Sequence, residues 1–116
     1  MPTIVRQYLI QSVPVIHSLI VLDIADRTKP VEKSRLALND SRRPHWTGWN
    51  IRTQRLVVTG SESRLYLLKL DETAGTLGMD DAFQDNDRKP GFNFADRDWL
   101  YGSKGFGLAH GVVFSR

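Results

Sequence analysis

The sequence predicts an all-β protein, and three observations carry that prediction. Turn chemistry returns every 8–12 residues between Ser18 and Phe83, which is the spacing of short antiparallel strands. The apolar runs between those turns are brief and rich in β-branched residues, as in "SLIVLDI" and "RLVVTG". One segment also occurs twice. Pro44 to Asn50 and Ala109 to Ser115 each have a small or imino residue, a histidine, then a short apolar stretch ending in a polar side chain. A chain of 116 residues suits a single domain.

The elements follow in order. Residues 1–17 are poorly patterned: "TIVRQYLIQSVPVIH" fits a strand or a short helix, and Pro14 breaks either. Ser18 to Ile24 is a continuous apolar run, the pattern of a buried strand. "ADRTKP" is a turn through Asp26 and Pro30. Val31 to Leu38 loosely alternates, with Val31, Leu36 and Leu38 as apolar anchors. After the turn "NDSRRP", four strands are expected at His45–Asn50, Arg55–Thr59, Arg64–Leu70 and about Thr76–Phe83. Their turns are "IRTQ", "GSES" and "DETAG", with Gly75 supplying a positive φ. Residues 84–108 form a long loop whose aromatics Phe92, Phe94, Trp99, Tyr101 and Phe106 favour an ordered, self-packed segment. Residues 109–115 return to strand.

Composition narrows the function classes. Hydrophobic content of 41% with 25% charged residues is that of an ordinary globular protein. With no cysteine, any metal must be held by His, Asp, Glu or backbone oxygen. The net charge of +3 is unevenly spread. Asp26 to Lys69 holds ten Lys/Arg against four Asp/Glu, and Leu70 to Asp98 holds three against eight. Opposed halves favour self-complementary contact over a polyanion footprint, so no nucleic-acid partner is expected. The longest apolar stretch, Leu19 to Leu22, is far short of a membrane span, so no membrane partner is expected either. Pro14, His17 and the strand-like end at Asp23 argue against an export signal in residues 4–25.

A four-strand meander opened by a histidine-bearing strand is the layout of a propeller blade. In that register residues 44–83 form one full blade, Ser18 to Leu38 the outer strands of the blade before it, and residues 109–115 the inner strand of the blade after it. The fold expected for residues 18–116 is therefore an incomplete β-propeller of about two blades plus a terminal inner strand. "SLIVLDIADRTKPVE" resembles the strand-turn-strand unit of LVIVD-type repeats. "RPHWTGWNIRTQRLVVTG" with "RLYLLKLDETAGTL" resembles blades of the YVTN and selenium-binding-protein (methanethiol oxidase) group of seven-bladed propellers. The resemblance implies the C-terminal arc of such a ring. An arc leaves apolar sheet faces that need neighbours. The expected partners are further copies of the chain or a complementary propeller chain, besides a small-molecule ligand.

His45 and His110 hold equivalent places in successive units, at the entry to the inner strand. Two imidazoles there offer a copper or zinc site; the alternative is that each bonds a neighbouring strand and shapes the turn. The resemblance implies channel histidines that hold metal, but Leu100-Tyr101 follows Trp99 where that group has a further Pro-His pair. Trp99, Tyr101 and Phe106 are expected to wall the ligand site. His17 reads as a turn histidine. "DDAFQDND" offers carboxylates for a hard cation without the spacing of a calcium loop, and reads as a solvated turn. Trp46 and Trp49 should point to opposite sides of one strand, so they make no stacking platform for bases. "GSKGFG" lacks the order of a phosphate loop, and no nucleophile elbow supports hydrolysis.

The function expected is a propeller-derived ligand- or protein-binding module without its own catalysis. The rival is a metal-dependent oxidase or a lactonase-type propeller enzyme active only in a complete ring. The cytoplasm is the default location, and an extracytoplasmic one follows if the chain is a segment of an exported propeller.

Overall fold

The structure, a computed structural model of the chain, describes residues 2–38, 43–60, 64–94, 97–98, 104–105 and 111–114. It is built of strands, with a single 3-10 turn at Pro14–Ile16. The first sheet is an antiparallel meander of β1 (Thr3–Val5), β2 (Tyr8–Val13), β3 (Ser18–Asp23) and β4 (Val31–Ala37), in that order. The second repeats the plan with β5 (Pro44–Asn50), β6 (Arg55–Gly60), β7 (Arg64–Asp71) and β8 (Thr76–Met79). A fifth strand, β9 (Phe92–Asn93), pairs with the start of β7. β10 (Arg97–Asp98) and β11 (Lys104–Gly105) form a separate two-residue ladder.

Local chemistry sets four of the described hairpins. Asp23, Asp26, Asn50 and Asp71 all accept backbone N–H groups two or three residues on, the Asx geometry that turns a chain. Gly75 ends the β7–β8 turn at φ +70, a conformation costly for a residue with a Cβ. Arg6 and Gln54 reach φ 54 and φ 53 in the β1–β2 and β5–β6 turns.

The all-β class is as the sequence implies, and four details differ. Residues 3–13, whose weak pattern fits a strand or a short helix, form two strands. Tyr8, Ile10 and Ser12 are buried while Leu9, Gln11 and Val13 are half-buried, so the alternation lies within "YLIQSV" and Pro14 merely ends it. The strand after Gly75 stops at Met79 instead of Phe83. There Asp80 turns the chain by accepting the Ala82 N–H at 3.2 Å, and its carbonyl takes the Phe83 N–H at 3.2 Å. Val31, expected as an anchor, is 55% exposed. In the expected final strand, Gly111 to Phe114 form no strand, and residues 109, 110 and 115 lie outside the described residues.

The two sheets stack face to face, β5 against β1 and β2, and β8 against β4. Val5, Tyr8, Ile10, Leu19 and Val21 from the first sheet meet Leu56, Val58, Tyr66 and Leu68 from the second, all buried. Each such side chain contributes about 1.5–3 kcal/mol. Hydrogen bonds pin the rims of this core. Tyr8 donates through its hydroxyl to the Glu72 carbonyl at 2.7 Å, and Ser34 to the Gly75 carbonyl at 2.5 Å. Thr3 and Thr47 share a hydrogen bond of 2.7 Å between their hydroxyls.

Candidate functional site

His45 sits where β5 loses its register. Pro44 pairs with Gly60 and Trp46 with Thr59, so His45 is the extra residue of a bulge. A bulge bends its strand and re-aims a side chain, and His45 is exposed. Its backbone is held from the first sheet, where the Ser12 hydroxyl donates to the His45 carbonyl at 3.0 Å. His45 lines an open groove of about 260 Å³ with Pro14, Arg43 and Gly60. The Arg43 guanidinium lends that groove cationic character. A smaller cavity nearby, between Leu38, Val58, Thr59 and Tyr66, measures about 10 Å³. That is room for one water at most.

The other residues expected at this site, His110, Trp99, Tyr101 and Phe106, lie outside the described residues. The neighbouring Gly111 and Val112 are described. A Cβ at Gly111 would be 3.5 Å from the Trp46 ring, and one at Gly48 would be 3.5 Å from the Val112 carbonyl. The terminal segment therefore passes over the face of β5 that points away from the first sheet. Trp46 lies on that face, and Trp49 packs into the core between the sheets, so the two indoles are separated as their spacing implies. A Cβ at Gly48 would come within 2.7 Å of the far edge of the Trp46 ring, so the indole lies against the β5 backbone there and a larger residue would displace it. Sequence reasoning missed Arg43 and Pro14 as groove residues. The adjacency Arg43-Pro44-His45 was the available signal for the first.

His17 occupies a turn, with φ 53. Its N–H donates to the Pro14 carbonyl and its own carbonyl accepts from the Leu38 N–H. The acidic run 80–87 is spent on structure. Asp80 receives Arg55 Nε at 2.8 Å, with Lys69 Nζ at 4.0 Å. Asp85 accepts the N–H groups of Asn86 and Asn93. Asp87 accepts the Lys89 N–H and pairs with Arg64. Arg64 also donates to the Pro90 and Gly91 carbonyls at 2.8 and 3.2 Å, closing this loop over β7. Phe92 and Phe94 add a tilted ring contact at 4.9 Å. The Arg55 hydrogen bond is the main cause that lowers the Asp80 carboxyl below its ordinary value, against a desolvation penalty. Asp87 is lowered first by the Lys89 N–H, with Arg64 adding to it.

Among the described residues no three His, Asp or Glu side chains gather as a metal-binding group. Nor is any helix there long and apolar enough to cross a membrane. Comparison with protein-family models, with curated proteins and with solved structures gives no match for this chain.

Proposed function

We propose that the two sheets are successive blades of an incomplete β-propeller, and that the chain is a ligand- or protein-binding module of that type. The observation that carries this reading is the manner of stacking. Both sheets run through their four strands in the same order, first strands together and last strands together. That is how neighbouring blades sit around an axis. Two further features support it. Gly111 and Val112 lie on the free side of β5, where the inner strand of a third blade runs. The bulged His45 lies on the first strand of its sheet, the strand nearest the axis of a ring. The likeness to the YVTN, LVIVD and selenium-binding group belongs to this proposal and rests on the sequence motifs alone.

The binding site in this reading is the groove of Pro14, Arg43, His45 and Gly60. The Arg43 guanidinium there suits a ligand that presents a carboxylate or a carbonyl oxygen. The test is equilibrium dialysis of the purified chain against copper and zinc, together with titration of small carboxylates followed at the His45 ring resonances. A module gives sub-stoichiometric metal, and carboxylate shifts at the His45 ring that vanish in Arg43→Ala. One equivalent of copper or zinc, lost in His45→Ala, would overturn it in favour of a metal-dependent propeller oxidase.

A further inference from the structure

The first sheet has a second apolar face, and it lies on the side away from the core. The register puts Ile4, Leu9 and Leu22 in one row across β1, β2 and β3, and Gln11 beside Ile20 in the next; Val13 shares their side of β2, and the two rows end on β4 at Glu32 and Arg35, which pair with each other at the margin of this face. Ile4 is 62% exposed, Leu9, Val13, Ile20 and Leu22 are half-buried, and the packing of this sheet on the second lies on its other side. β3 is apolar on both faces, with Leu19 and Val21 buried in the core and Ile20 and Leu22 outside it. Strands patterned in that way are ones covered on both sides.

The second sheet shows what such a face sits on. Counting from the start of each third strand, Ile20 and Leu22 of β3 match Tyr66 and Leu68 of β7. Tyr66 and Leu68 are buried against the opposite face of the first sheet. The outer face of the first sheet is thus the counterpart of a face whose seat is already visible in this molecule. That seat is the surface of Tyr8, Ile10, Leu19 and Val21.

We propose that the outer face of the first sheet is the docking surface for another four-stranded antiparallel sheet, one presenting an aromatic and β-branched face like that of Tyr8, Ile10, Leu19 and Val21. The proposal rests on the reading of the two sheets as successive blades, and it continues the interface that joins them. A second copy of this chain is the poorer occupant. Its Tyr8 face is buried on its own second sheet. On the far side of that sheet Val57 is 1% exposed, and Trp46 already meets Gly111. Two copies meeting through their Ile20 faces would cover roughly 300–400 Å² each, from strand spacing and rise. A stable association needs about 800 Å² per partner. The fitting occupant is a sheet delivered at high effective concentration, as a tethered neighbour is.

The test keeps the full chain and places a second copy of residues 2–38 ahead of it. The added copy then offers its Tyr8 face to the Ile20 face of the original. The expected result is a higher melting midpoint than the parent, with at least about tenfold slower amide exchange at Leu9, Ile20 and Leu22 of the covered copy. Ile20→Glu or Leu22→Gln in the covered copy removes the gain, while the same changes in the parent move its midpoint little. No gain, a gain that survives both substitutions, or an added copy that stays unfolded by circular dichroism would each overturn the proposal. So would a parent chain that sediments as a dimer and becomes a monomer with Ile20→Glu, which would assign the face to a second copy. Metal or carboxylate uptake at His45 reads different atoms, so either result can fail without the other.

Discussion

Asp80 is the residue on which most local structure converges. Its carboxylate holds Arg55 and Lys69, its Oδ1 caps the turn at Ala82, and its N–H extends the ladder to the Leu67 carbonyl at 2.9 Å. Arg55 keeps the carboxyl below its ordinary value, so the folded chain takes up this proton less readily than the unfolded chain. The stability from the pair is complete above the unfolded value of about 3.9. It is lost as pH falls through the lower folded value. Asp80→Asn is expected to cost about 1–2 kcal/mol at neutral pH. It should also flatten the stability–pH profile below about pH 4; urea unfolding across pH 3–7 measures both. Gly75 is the other critical single position. At φ +70 it also brings the turn close enough that a Cβ would be 2.9 Å from the Tyr8 ring.

At the scale of elements, the contact between first strands is the one to probe. The Thr3 and Thr47 hydroxyls are 2.7 Å apart across the two sheets, and the chain has no cysteine of its own. Thr3→Cys with Thr47→Cys should therefore oxidise to a single intramolecular disulfide without competing thiols. The link is expected to add about 2–4 kcal/mol, removed by reductant. Mass spectrometry and melting with and without dithiothreitol read the result. A double variant that stays reduced, or links two chains, would contradict the packing of β1 on β5. The rims of the β7–β8 turn are similarly held from the first sheet, by Tyr8 and Ser34.

Over the whole molecule, the opposed charge halves meet in part inside one chain. Arg55 and Lys69 reach Asp80, Arg64 reaches Asp87, and Arg6 reaches Glu72 at 2.7 Å. The asymmetry noted in the sequence is thus partly used in closing the acidic loop over the second sheet. The core is shared as well: Ile10 and Leu68 belong to different sheets and one cluster. Ile10→Ala should cost about 2–5 kcal/mol and lower one cooperative transition for both sheets. Differential scanning calorimetry that resolved two transitions would mean the sheets unfold separately.

The strand class and the positions of most hairpins can be read from neighbouring residues, because turn chemistry and period-two burial are local properties. Asp26, Gly75 and the run Ser18–Ile24 were readable for that reason. The sequence hid the strands of residues 3–13, where both faces of β2 are largely apolar and Pro14 obscured the alternation. The charge runs told nothing of their partners, since Arg55 and Asp80 are 25 residues apart. The folded chain alone reveals that the sheets share one core, that His45 stands out on a bulge beside Arg43, and that β1 to β3 keep a half-buried, mostly apolar side away from that core. Each of these depends on contacts between distant parts of the chain, which no local pattern encodes.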